Sequence, residues 1–314
     1  MSLFVQQNGT LTDYSPASHE TGSSWSILSP IELSIKRKIE AVGKPLKDWD
    51  ITINYGIKTG CNEAFIIDGA KREEILDKCR SAAERERTDA LIRPILRGRD
   101  IKRYKAEWAG LYVILAKFGS HHYLEKDYPA IFNHLLQYED KLKSRGQVRY
   151  TSSKKVREGA EYPGQHHWLE LDNNPCDKYL EDFLKQKIIY PNMTKFLPFY
   201  LDNTSHFYHN DKSFMITGTH ISFLTAFLNS SLFKFCFLNS FPELLGETRE
   251  LRKVFFDKIP VMEVSNAIEQ VFSNLVNDIQ QAYSKQKAIH IDQVIFDLYG
   301  LTEDERIAIG FVEI

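Results

Sequence analysis

Ten histidines are spread along the chain, and some are close enough in sequence to suggest metal binding. His206 and His209 lie three residues apart with Asp211 nearby, and adjacent pairs occur at 121–122 and 166–167. Zinc sites need three or four ligands at suitable spacing, and these groups lack a third ligand at good spacing. We therefore expect loop or surface histidines and no metal.

The sequence motifs of several enzyme classes are missing. We find no FxGxG signature for S-adenosylmethionine and no GxxxxGK[ST], GxSxG or HExxH motif. The closest match to the Asn-Pro-Pro-Tyr loop, which holds a flipped adenine, is Asn174-Pro175-Cys176, which lacks the second proline and the aromatic residue. A nuclease site would need clustered acids with a lysine, and no such cluster stands out. The sequence thus predicts no catalytic residues in this chain.

Positive charge is concentrated in two segments, although the formal net charge is only −2. Residues 141–157 contain seven Lys/Arg and no Asp/Glu, and residues 93–105 contain six Lys/Arg against one acid, Asp100. A nearly neutral protein can still have one positive face, so the net charge excludes only a uniformly basic binder.

The elements that position these segments are short. Ser29 can cap a helix that starts at Pro30, Glu32 completes a capping box, and the helix should end near Val42. Strands at 51–55 and 64–67 should flank the loop at 56–60, and 145–165 should form a long loop or hairpin. Apolar spacing predicts further helices at 70–87, 129–144, 219–239 and over the last 50 residues, and strands at 91–96, 111–115, 167–171, 187–190, 199–201 and 214–216.

This order of elements predicts an α+β fold with mixed or antiparallel short strands, flanking helices and a helical C-terminal tail. We divide the chain into a linker or arm at 1–28, a main domain at 29–262 and the tail at 263–314. Four cysteines without CxxC spacing are typical of reduced thiols. With no secretory signal and no uninterrupted apolar span, a cytoplasmic protein is expected.

Five segments, in this order, resemble the C-terminal target-recognition (specificity) domain of TaqI-like and type IIG restriction–modification adenine-specific DNA methyltransferases. The resemblance covers about 31–262. The segments are 55–67 (YGIKTGCNEAFII), 92–104 (IRPILRGRDIKRY), 187–193 (KIIYPNM), 224–232 (LTAFLNSSL) and 252–261 (RKVFFDKIPV).

The resemblance implies that this chain recognises a short sequence in double-stranded DNA. In that family an N-terminal methyltransferase domain holds S-adenosylmethionine, and the DNA lies between the two domains. The resemblance implies that the parent protein methylates adenine N6 after base flipping. Because only the recognition half matches, we expect no cofactor in this chain and a catalytic domain outside it.

The resemblance and the basic segments together give a set of expected DNA contacts. Glycines in the 56–60 loop permit close backbone approach to DNA, and an arginine can pair bidentately with guanine. Asp100 could instead hold one of the neighbouring arginines in a structural salt bridge. The candidates are Lys58, Thr59, Asn62, Arg97, Arg99, Lys102, Arg103, Lys143, Arg145, Arg149, Lys154, Lys155, Arg157, His166, His167, Asn192 and Lys195.

Three other functions stay open at this stage. A type I-like specificity subunit would usually carry two recognition domains, and only one is visible. A free-standing nuclease would cleave DNA with a divalent metal. A protein-interaction module, in which the basic loops are merely solvated, would show no salt-dependent affinity for DNA.

Overall fold

The computed structural model describes residues 15–16, 27–150, 159–195 and 198–311. The chain forms two compact units. The central unit is Thr52–Ile221, and the terminal unit combines Met1–Ile51 with Ser222–Ile314. The domain boundaries predicted from the sequence, after 28 and after 262, stay predictions.

The strands are short, as the sequence predicts. In chain order they are β1 (Ser15–Pro16), β2 (Ile27–Leu28), β3 (Gly43–Pro45), β4 (Ile51–Tyr55), β5 (Ile66–Asp68), β6 (Ile92–Leu96), β7 (Ile101–Lys102), β8 (Lys105–Ala106), β9 (Leu111–Ile114), β10 (Lys187–Pro191), β11 (Met193–Thr194), β12 (Tyr200–Asp202), β13 (Tyr208–His209), β14 (Ser213–Gly218), β15 (Arg249–Glu250) and β16 (Pro260–Met262).

The helices include several of a single turn. They are α1 (Pro30–Val42), α2 (Asn62–Phe65), α3 (Gly69–Asp77), α4 (Ala82–Leu91), α5 (Leu124–Asp127), α6 (Pro129–Leu136), α7 (Glu139–Lys143), α8 (Gly146–Arg149), α9 (Asp177–Glu181), α10 (Ile221–Leu228), α11 (Ser231–Phe237), α12 (Lys253–Phe256), α13 (Asn266–Gln281), α14 (Lys285–Leu298) and α15 (Glu303–Ile309).

Two four-stranded sheets form the central unit. One has the order β12-β10-β14-β4, and β10 runs antiparallel to both β12 and β14. The other has the order β13-β6-β9-β5, in which β9 is antiparallel to its neighbours and β13 is parallel to β6. The mixture of helices with short, mostly antiparallel strands confirms the predicted α+β class.

The core of the central unit packs helices against the second sheet. Phe65 of α2, Val113 of β9 and Ile131 of α6 are completely buried in one apolar cluster. Burial of each such side chain contributes about 1.5–3 kcal/mol, so this cluster fixes the strands whose ends carry the polar loops described below.

The terminal unit has a separate aromatic core. Phe223 and Phe272 meet edge to face with ring centroids 5.0 Å apart, which joins α10 to α13. The Glu269 carboxylate accepts the Phe223 N–H at 3.0 Å and so caps the start of α10. No helix in the described ranges is both long enough and apolar enough to cross a lipid bilayer.

Several element predictions need correction. The predicted strand at 64–67 is only partly correct, because 62–65 form the helical turn α2 and the strand begins at Ile66. This strand, β5, pairs with β9, not with β4. The predicted helix at 70–87 is two helices, because Ser81 caps a new one by accepting the Glu84 N–H at 3.1 Å. Residues 129–144 also divide, into α6 and α7, and 167–171 are turns and bends, not a strand.

Candidate nucleic-acid interface

Four loops of the central unit meet where strands of both sheets end. The Ile57 N–H donates to the His209 carbonyl at 2.7 Å, and the Asp211 N–H donates back to Ile57 at 3.0 Å. The Asn210 N–H donates to the Leu96 carbonyl at 3.0 Å. We call this group of loops the four-loop end, and it comprises residues 56–60, 97–100, 191–195 and 209–213.

Two glycines allow the loops to approach this closely. A Cβ on Gly56 would lie 2.3 Å from the carbonyl oxygens of His209 and Asn210. A Cβ on Gly98 would lie 2.8 Å from the Lys212 carbonyl oxygen. Since both obstacles are main-chain atoms, no side-chain movement would relieve the overlap, and the loops could not keep their positions with alanine there.

The arginines on either side of Gly98 have different surroundings. Arg97 is held by Asp100, with Nε and Nη2 donating to the carboxylate at 2.9 and 2.8 Å. Arg99 is exposed and has no ion-pair partner within the described ranges. Burial would raise the pKa of Asp100, but the hydrogen bonds from Arg97 outweigh it and lower that pKa. Asp100 therefore stays ionised and keeps Arg97 in place, while Arg99 is available to a ligand.

The other candidates near the four-loop end are mostly accessible. The Lys58 side chain is 39% exposed, with its amine 3.8 Å from the Asp172 carboxylate. Lys195 is exposed, whereas the Asn192 side-chain oxygen is buried without a hydrogen-bond partner among the described atoms. Lys102 lies on β7, the strand that follows 97–100, and its amine is 3.9 Å from a glutamate. The Arg103 guanidinium lies over a tyrosine ring, 5.5 Å from its centroid.

Arg145 lies inside the protein and ties several segments together. Its Nη1 donates to the Thr59 carbonyl at 2.8 Å and to the Asp172 carboxylate at 3.1 Å. Its Nη2 donates to the carbonyls of Trp168 and Glu170, both at 2.7 Å. These bonds join the loop at 56–60 to residues 168–172, and they account for the burial of this cation. Its contact with DNA stays a prediction that nothing here tests.

His166 and Thr59 belong to the same buried network. The His166 ring lies 3.1 Å from the Asp172 carboxylate and is fully buried. The Thr59 hydroxyl donates to the Asn62 side-chain oxygen at 2.6 Å. Burial would raise the pKa of Asp172, but the His166 hydrogen bond and the charge of Arg145 lower it overall.

The remaining candidates lie near or beyond this network. Lys143 is exposed, with its amine 5.4 Å from the centroid of the Trp168 ring, and Arg149 is exposed over Tyr150. Burial, with help from His121, lowers the pKa of His167 to about 4, so this ring is neutral at pH 7. The other three candidates lie outside the described residues, and they are Lys154, Lys155 and Arg157.

Sequence reasoning missed Lys212, an exposed cation of the four-loop end. Its side chain is 67% exposed, and its carbonyl accepts the Asn192 N–H at 2.8 Å. The polar turn Asn210-Asp211-Lys212 between β13 and β14 was the available signal, since Asn and Asp favour turns. Nothing in the sequence showed that this turn lies beside Gly98.

A scan against protein families matches residues 93–261 to the TaqI-like C-terminal specificity domain. A search of curated proteins gives no significant match. The matched range begins at β6 and ends at β16, and it contains three of the loops of the four-loop end.

Two solved structures are similar to this chain, and the first shares its fold. MmeI, described as a type IIL restriction-modification enzyme in complex with DNA, matches 94% of this chain with a TM-score of 0.53 and 10% identity. BpuSI, a type IIG restriction endonuclease, matches 87% of this chain with a TM-score of 0.49 and 11% identity. The chain spans 40% of the length of MmeI and 34% of that of BpuSI.

Proposed function

Because this chain belongs to the family of TaqI-like C-terminal specificity domains, we propose that it binds double-stranded DNA and recognises a short sequence in it. The family match over more than half of the chain is the observation that carries the proposal. The fold shared with MmeI, which was solved in complex with DNA, is consistent with it.

The four-loop end has the chemistry that such recognition needs. Arg99 and Lys212 are exposed cations on loops whose positions are fixed by main-chain hydrogen bonds. An arginine can donate to both acceptors on the major-groove edge of guanine, and a lysine can neutralise a phosphate. We assign base recognition to Arg99 and backbone contact to Lys212, with Lys58 beside them.

We also propose the setting in which this recognition operates. The chain would act with a methyltransferase domain that transfers a methyl group to adenine N6, in the cytoplasm. No segment of this sequence fits S-adenosylmethionine, since the FxGxG signature is missing, so that cofactor belongs to the other domain. The share of MmeI that this chain spans supports a larger parent enzyme.

The test is a selection of bound duplexes from a random library with the full chain, followed by affinity measurements at several salt concentrations. We expect one short sequence to be enriched. Enrichment of no sequence, or affinity that does not change with salt, would refute the proposal.

Three substitutions then separate the assigned roles. Lys212→Ala should weaken binding to all duplexes alike and reduce the salt slope by about 0.9. Arg99→Ala should lose roughly 1–3 kcal/mol of discrimination at one base pair. The control is Lys78→Ala, an exposed lysine just after the end of α3 that is paired with Glu74 and lies outside the four-loop end, and it should change neither quantity.

A further inference from the structure

Two histidines and a glutamate that are distant in sequence meet on the central unit. His121 and His122 lie in a single turn of 3-10 helix, Ser120–His122, and Glu161 lies 40 residues beyond His121. The His121 Nε2 lies 3.2 Å from the Glu161 carboxylate, and the His122 Nδ1 lies 4.0 Å from the same oxygen. One potential ligand atom from each of the three side chains falls within 4.8 Å of the others.

A buried carboxylate orients the His121 ring. The His121 Nδ1 lies 2.6 Å from Glu170, whose side chain is completely buried and also accepts the Gly119 N–H at 2.7 Å. A carboxylate can only accept, so the Nδ1 nitrogen carries the proton and donates. In the neutral ring, the Nε2 lone pair then points toward Glu161.

This arrangement places two hydrogen-bond acceptors 3.2 Å apart, the His121 Nε2 and a Glu161 oxygen. They repel each other unless a cation or a proton lies between them. Histidines that bind metals commonly donate their other N–H to a carboxylate, which fixes the ring and increases its basicity. The pair of His121 with Glu170 has this form.

We infer that His121 Nε2, His122 Nδ1 and Glu161 bind one divalent transition-metal ion of the zinc type. Two imidazoles and one carboxylate are a ligand set that zinc accepts, and the fourth position would hold water.

Two of the three ligand–ligand distances need only a small adjustment, and all three lie within 4.8 Å. Two ligands on a tetrahedral zinc ion lie about 3.4 Å apart, which follows from metal–ligand bonds of about 2.1 Å. The pair at 3.2 Å already fits, and the pair at 4.0 Å must close by about half an ångström. The side chains of His122 and Glu161 are 63% and 61% exposed, so they can move, while His121 is held by Glu170.

The ion would add to existing contacts between two parts of the central unit, in which the His121 ring stacks on His167 and Glu170 accepts the Gly119 N–H. It would hold the segment that leads from Glu161 to His166, and His166 in turn contacts Asp172 of the Arg145 network. The inference stands on geometry alone and is independent of the proposed DNA recognition.

The experiment is a titration of the chelator-treated full chain with Co²⁺, whose tetrahedral complexes absorb in the visible region, followed by displacement with Zn²⁺. We expect one equivalent of Co²⁺ to give a tetrahedral spectrum that Zn²⁺ abolishes. His122→Asn and Glu161→Gln should each weaken binding more than tenfold, and their exposure means that folding is retained. The control is His290→Asn, an exposed histidine on α14, and it should bind as the parent chain does.

Two results would overturn the inference. Absence of a tetrahedral Co²⁺ spectrum would mean that these three side chains do not form a metal site. A spectrum that survives in both His122→Asn and Glu161→Gln would assign the metal to other ligands, such as the free cysteines.

Discussion

Replacing Arg145 by methionine should destabilise the central unit without removing any exposed positive charge. Methionine retains an unbranched apolar stem, which can still pack against Phe65, whose ring centroid lies 5.4 Å from the guanidinium carbon. It removes the hydrogen bonds that Arg145 now donates to the carbonyls of Thr59, Trp168 and Glu170 and to the Asp172 carboxylate.

The size of the effect follows from the partners left behind. Breaking a buried ion pair by deleting one member costs about 3–5 kcal/mol, because the other charge stays buried. Each carbonyl that loses its donor adds up to about 1–3 kcal/mol, although these terms are not additive. Asp172 keeps its contact with His166, which limits the loss. We expect a decrease of about 3–5 kcal/mol in the free energy of unfolding.

Urea denaturation of the full chain, followed by tryptophan fluorescence, measures this change. Trp168 reports on the network directly, because its carbonyl accepts from Arg145 at 2.7 Å. With a slope of about 2–3 kcal/mol per molar urea, the midpoint should fall by roughly 1–2 M.

The matched control is Arg149→Met, which removes an exposed arginine that stacks on Tyr150. Its unfolding free energy should change by less than about 0.5 kcal/mol. A loss below about 1 kcal/mol in Arg145→Met would refute the conclusion that this cation holds the loop at 56–60 to residues 168–172.

Two further predictions concern a loop contact and an acid-sensitive pair. Gly98→Ala should lower the free energy of unfolding by about 1–3 kcal/mol, because the added methyl group displaces the Lys212 carbonyl, and it should also weaken DNA binding. Unchanged stability in urea would contradict the close contact. Burial opposes ionisation of Glu305, but hydrogen bonds from Lys38 and Ser34 lower its pKa from 4.5 to about 2. The resulting stability is present above pH 4.5 and is lost as the pH falls to about 2, so Glu305→Gln should flatten the acid side of the stability curve measured by thermal unfolding.

Local signals in the sequence predicted local structure well. The capping box predicted for Ser29 and Glu32 is present at the start of α1. Such caps depend on residues three positions apart, so one sequence suffices to find them.

Contacts between distant segments could not be predicted in this way. The sequence does not distinguish Arg145 from Lys154, because both are cations in one basic stretch. Only the fold shows that Arg145 is buried beside Asp172. Glu161 was missed as a third ligand for the same reason, because it is 40 residues from His121. Burial and long-range pairing depend on which strands pair, and periodicity does not determine that.

The main-chain hydrogen bonds of the four-loop end have a consequence for how the target sequence of such a protein can change during evolution. The loops are held by Ile57, Leu96, His209 and Lys212 through amides and carbonyls, which every residue except proline provides in full. Exposed side chains such as Arg99 are therefore not needed to hold the loops in position. Exchanging them one at a time should keep the fold intact at each step, so a lineage could pass from one target sequence to another through intermediates that all remain folded.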